Sequence, residues 1–203
     1  GMYKGKNKLK DNISEKTFNL AQKTIKNMGM NINQFNSFKP WFLAMSIISF
    51  KLVKIGYDPN WGIDKYFLDK ASGKKEIEEI EGLEYQLNLF NNFSKKEQEI
   101  FLYSTLKEVS QYDDQIDKIV KYWESGNTKK IEDLFSKNIK LFPDSEKIYK
   151  KLLNERNKKM AERIETYMQT GKIYFIVVGT AHLVGKKGII HLLEEKGFEL
   201  KQF

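Results

Sequence analysis

Ile173-Tyr174-Phe175-Ile176-Val177-Val178 is a continuous β-branched and aromatic run, and it leads straight into Gly179-Thr180-Ala181-His182. A run of this kind reads as a strand buried on both faces. Gly179 to Gly188 then reads as a glycine-spaced loop, Ile189 to Lys196 as a helix ended by Gly197, and Phe198 to Gln202 as a closing strand. Strand, loop, helix and strand in that order make a βαβ unit. The intervening helix predicts that the two strands run parallel through a right-handed crossover. The tail therefore sets the expected class as α/β: helix-rich, with about eight helices and a small sheet that includes this C-terminal βαβ unit.

Upstream of that tail the pattern is helical. Ser14 can cap a helix whose apolar residues Phe18, Ala21, Ile25 and Met28 recur at helical spacing, with Gly29 as its stop. Pro40 opens a second, in which Trp41, Leu43, Ala44, Ile47, Ile48, Leu52 and Val53 cover most of the circumference and predict a central position. After the turn Tyr57-Asp58-Pro59-Asn60-Trp61-Gly62 a short helix follows from Ile63 to Ala71. Ile77 and Ile80 alternate with charged residues between Gly73 and Gly82, which suggests a short strand running into Glu81. Further helices are expected over Leu83 to Asn91, Lys95 to Ser110 (Ser94 and Glu97 forming a capping box), Asp114 to Ser125 and Thr128 to Asn138. Ile116, Ile119, Val120 and Trp123 should face inward. The longest should run from Ser145 to Gln169, with Ile148, Leu152, Met160, Ile164 and Tyr167 on one stripe. The whole reads as one domain over residues 1–203: a helical segment (1–72), a strand with a helical lobe (73–172) and the βαβ unit (173–203).

Charge and composition exclude several classes. A net charge of +8 raises nucleic acid as a partner. Lysines alternate with glutamates along most of the helices, however, as on solvated faces, so no nucleic acid is expected. There is no cysteine, which removes disulfides and thiolate metal sites. The most apolar stretch, Trp41 to Phe50, is about half of the roughly 20 residues that span a bilayer. Gly1 before Met2 looks like a remnant of tag cleavage, so a longer parent protein, exported or membrane-anchored, stays open.

Ligands of open α/β sheets gather beyond the C-terminal ends of strands, where Gly179-Thr180-Ala181-His182 is expected. An imidazole there can ligate a metal or move a proton, and Gly179 lets backbone approach a ligand. The alternative is a histidine that only hydrogen-bonds a neighbouring turn. Asp58 and Asp64 flank Trp61 in a turn, where helix capping is the expected role.

The run Val177 to Ile190, with Glu195-Lys196-Gly197-Phe198 after it, resembles the C-terminal signature of the TraB/GumN family, which includes the Tiki proteases. Four further stretches agree in order: Lys39-Pro40-Trp41; Gly56-Tyr57-Asp58-Pro59 with Gly62-Ile63-Asp64; Glu81-Gly82-Leu83-Glu84-Tyr85-Gln86; and Leu153-Asn154-Glu155-Arg156-Asn157. The resemblance implies a metal-dependent hydrolase acting on a peptide or small molecule, with a divalent metal (Mn, Co or Zn) held between two Gly-x-x-His motifs and acidic residues. It implies His182 and Glu81 as metal ligands, His182, Glu81 and Arg156 as catalytic residues, and Gly179, Glu84, Gln86 and Asn157 as ligand-binding positions. The alternative for Arg156 is an ion pair with Glu81 or Glu84. Gly179-Thr180-Ala181-His182 matches the second motif; Gly188-Ile189-Ile190-His191 repeats its spacing, but His191 lies inside the helix expected over Ile189 to Lys196 and is not read as replacing the first. Two ligands fall short of the three an open site uses. The chain alone is therefore expected to be inactive, and the other reading is a non-catalytic interaction module, self-associating through an exposed sheet edge.

Overall fold

The computed structural model describes residues Gly1–Phe203, all but the side chain of Asn138. In chain order the helices are α1 (Glu15–Asn27), α2 (Pro40–Lys54), α3 (Ile63–Ala71), α4 (Leu83–Asn91), α5 (Lys95–Glu108), α6 (Tyr112–Glu124), α7 (Thr128–Leu141), α8 (Glu146–Tyr149), α9 (Glu155–Met168), α10 (Thr180–Leu183) and α11 (Ile189–Glu194). Local chemistry sets several of their ends. The Ser14 side chain accepts from the Thr17 N–H at the head of α1, Pro40 takes the first turn of α2, and Ser94 and Glu97 complete a reciprocal capping box on α5. Between α8 and α9 the helix continues through a π turn, Lys150–Asn154.

The chain folds into two compact units that interleave in sequence, Gly1–Asp58 with Glu84–Gln115, and Pro59–Leu83 with Ile116–Phe203. In the first, α1, α2 and α5 enclose a core of Leu9, Ile25, Leu43, Ile47, Leu102 and their neighbours. Glu99 on α5 ties α1 in place by accepting from the backbone and hydroxyl of Ser14 and the hydroxyl of Thr17. In the second, α9 and α11 pack through Met160, Ala161, Ile164, Ile189 and Leu193, and Ile80, Ile176, Val178, Phe198 and Leu200 close over them. Trp123, expected to face inward, is half exposed.

Among the described residues there is no strand and no sheet; an isolated bridge between Met2 and Phe38 is the β pairing present. The fold is all-α, which overturns the α/β expectation, the βαβ unit, the short strand before Glu81 and the parallel pairing. Residues 173–178 do alternate, with Tyr174, Ile176 and Val178 half-buried and Ile173, Phe175 and Val177 outward. They form no backbone–backbone hydrogen bond among the described residues. β-branched residues favour an extended chain locally, but a ladder needs a second strand at the right distance. Phe198 to Gln202 packs on the same helical core without supplying one. Gly179 to Leu183, expected as loop, instead turns through the one-turn helix α10.

Candidate functional site

The π turn positions the site. An i→i+5 turn inserts one residue into the helical ladder and shifts the side chains that follow it. Arg156, two residues after that turn, reaches back along the helix, and its Nη1 donates to the Leu152 carbonyl at 3.1 Å. Held there, the guanidinium turns its other edge to Glu81. Nε donates to both carboxylate oxygens at 3.0 Å, and Nη2 donates to Oε2 at 2.6 Å. The pair is largely withdrawn from water, with side-chain exposures of 15% for Arg156 and 7% for Glu81. Three residues upstream of Glu81, the Glu78 carboxylate accepts from the Tyr167 hydroxyl at 3.0 Å, which itself accepts from Arg163 Nε at 2.7 Å. The extended stretch before α4 is thus fixed to α9 at two points, the Glu81 contact at the start of the helix and the Glu78 contact near its end.

The next residue along α9 faces His182. Asn157 is buried, and its Oδ1 lies 2.6 Å from His182 Nδ1. Its Nδ2 donates to the Lys187 carbonyl at 2.6 Å. Lys187 is brought there by the tight loop that closes at Gly188, whose N–H donates to the Gly185 carbonyl. A Cβ at Gly188 would stand 2.5 Å from the carbonyl oxygens of both Leu183 and Val184, so no larger residue fits that approach. His182 itself sits in α10, with its backbone N–H on the Gly179 carbonyl and 9% of its surface exposed. Its ring is held below the usual histidine pKa, first by burial and then by the positive charge of Arg156, with Glu81 acting in the opposite direction. His182 is therefore neutral near pH 7, and Nε2 has no protein partner among the described residues.

Of the residues singled out from sequence, Glu81 and Arg156 are bonded to each other, and His182 is bonded to Asn157, the chain neighbour of Arg156. Gly179 caps α10 with no side-chain bond. Glu84 and Gln86 lie on α4 within the first unit. Asp64 lies in the first turn of α3, where Gly62 occupies the cap position. His191 is on α11 within reach of Glu194 and Glu195. Sequence reasoning missed the Lys187 carbonyl and the π turn. The Gly185-Lys186-Lys187-Gly188 spacing carried a signal for the first; the second has none, since Lys150–Asn154 is ordinary helical composition.

Among the described residues no helix is long and apolar enough to cross a membrane. No curated protein and no solved structure gives a significant match to this chain. The model of the TraB/PrgY/gumN family matches residues 1–202, which is nearly the whole length. On that match, the chain belongs to the TraB/PrgY/gumN family.

Proposed function

We propose that the chain supplies part of a TraB/GumN-like hydrolase related to the Tiki proteases and is inactive alone, with His182 as its functional group. The observation that supports this most is the state of the His182 ring. It is neutral near pH 7, anchored through Nδ1, carries an Nε2 without a protein partner among the described residues, and feels the charges of the buried Arg156–Glu81 pair. Such a nitrogen can accept a proton from water or a substrate hydroxyl. Arg156 donates one N–H from each of Nε, Nη1 and Nη2, which leaves one N–H on each Nη for a substrate carboxylate or for charge developing in the reaction.

The divalent metal that the resemblance implies does not fit the residues at this site. Glu81 is paired with Arg156 through both oxygens, and among the described residues no three His, Asp or Glu side chains converge. His182 Nε2 and Glu81 come to two ligands at most, where open catalytic sites use about three protein ligands.

Isothermal titration with Mn²⁺, Co²⁺ and Zn²⁺, beside a peptide-library hydrolysis assay on the same samples, tests the reading. Weak metal uptake lost in His182→Ala, with no turnover by the chain alone, is expected. Uptake unchanged in His182→Ala would remove His182 from the site. Tight uptake with turnover would show a complete site and overturn the donor accounting.

A second reading, a non-catalytic module that self-associates, has its own observation. Ile173, Phe175 (72% exposed) and Val177 present an uncharged apolar face. The occupant proposed is a second copy, since a two-fold contact sets this face against itself and strands no charge. With an aromatic side chain contributing 150–250 Å², the three cover roughly 300 Å² per copy. A standard interface needs about 800 Å² per partner, so the dimer is weak and transient. Light scattering should show mass rising with concentration, and Phe175→Ser should abolish the rise. A monomer at every concentration refutes this reading.

A further inference from the structure

We propose that Asn157 is a positioning residue that fixes His182 in the Nδ1–H tautomer and so makes Nε2 the only ring nitrogen able to ligate or accept a proton. The assignment follows from elimination along a chain of three groups. A backbone carbonyl can only accept, so the Asn157 atom 2.6 Å from the Lys187 carbonyl must be its NH₂. The opposite assignment would set two oxygens against each other at that distance. The amide oxygen is then the atom facing His182, 2.6 Å from Nδ1. An amide oxygen also only accepts, so Nδ1 must carry the hydrogen. In the neutral ring one nitrogen donates and the other accepts, and Nε2 is left with the free lone pair.

Every member of the chain is held in place. Asn157 is 2% exposed and sits on α9 immediately after the arginine that bonds Glu81. The Lys187 carbonyl is held by the loop that only glycine permits at position 188. A free histidine in water favours hydrogen on Nε2, so the structure imposes the less favoured form. The same arrangement, a ring N–H given to an oxygen acceptor behind a functional imidazole, raises the basicity of the far nitrogen and sets its direction. Asn157 therefore acts through His182 and not on a ligand, which changes the role that the family likeness gave it. The tautomer stands on geometry alone; its use rests on the reading of His182 as functional.

Long-range ¹H–¹⁵N spectra of the ¹⁵N-histidine-labelled full chain test this, since the chain has only two histidines and His191, half exposed, serves as the internal reference. Near pH 8, where imidazole is neutral, His182 should show the Nδ1–H pattern without any variant. An Nε2–H pattern in the wild-type chain overturns the proposal. Asn157→Leu, of similar size and without an acceptor, should release His182 to Nε2–H, whereas Asn157→Asp, which keeps an acceptor, should retain Nδ1–H; an unchanged tautomer in Asn157→Leu also overturns it. Co²⁺ added as a probe separates the two claims. Selective broadening at Nε2, weakened about 10- to 100-fold in Asn157→Leu, supports the functional role. The Nδ1–H pattern without any Co²⁺ effect leaves the tautomer standing and removes His182 as a ligand.

Discussion

Replacing Arg156 by Met removes two N–H donors, which make three contacts, from a carboxylate that is almost wholly withdrawn from water. Two costs follow. Glu81 becomes a buried charge without a partner, which costs about 3–5 kcal/mol. The Leu152 carbonyl loses the Nη1 hydrogen bond, for about 1 kcal/mol more. Against the 5–15 kcal/mol that holds a typical domain together, this is severe. At roughly 2–4 °C per kcal/mol for a chain of this size, the melting temperature should fall by about 10 °C. Replacing both partners by apolar residues, Glu81→Leu with Arg156→Met, removes the stranded charge, and the loss should shrink to about 1–2 kcal/mol. The cycle is read by urea unfolding at neutral pH, followed by circular dichroism, with a coupling of about 2–4 kcal/mol expected. A cost below about 1 kcal/mol for Arg156→Met would show the pair to be screened as surface pairs are. Arg156 would then not serve the fold first, with only its two spare N–H groups left for a ligand.

Three further outcomes are expected. Burial pushes the Glu108 carboxyl up from 4.5 to about 7, so the ionised form is penalised in the fold; stability is full below pH 4.5 and is lost as pH rises through about 7. That interval caps the effect at about 3 kcal/mol, and contact with water reduces it to about 1 kcal/mol. Glu108→Gln should therefore match the wild type near pH 4 and exceed it near pH 8 in denaturant midpoint, and an equal midpoint at both refutes it. His182, held below 6.5 by burial and Arg156, contributes stability that is present above pH 6.5 and lost as pH falls through its own pKa. Its Cε1 proton should titrate with a midpoint below 6.5 by NMR, and a midpoint above that value contradicts the burial argument. Gly188→Ala sets a Cβ against two carbonyl oxygens, so it should cost about 2 kcal/mol or more and move the His182 ring signals; an unaltered spectrum would show that the loop can give way.

The sequence by itself determined the helices. Ser14, Pro40 and the Ser94–Glu97 box announce their starts, and of the stripe Ile148, Leu152, Met160, Ile164 and Tyr167 all but Leu152, which is partly exposed, lie on the buried face of the long one. A helix closes its hydrogen bonds within four residues, so the information lies inside the segment. The collinear motifs likewise marked out Glu81, Arg156, Asn157 and His182. What only tertiary structure decided was everything that depends on a partner distant in the chain. Ile173 to Val178 has the composition of a buried strand, yet a ladder needs a second backbone, and the neighbours here are helices α9 and α11. The pairing of Arg156 with Glu81 and the orientation of the Asn157 amide between Lys187 and His182 carry no composition signal, because each is set by where groups 25 to 75 residues apart meet. Local bonding is written in local sequence; hydrogen-bond polarity at a site is settled when the acceptors arrive from elsewhere in the fold.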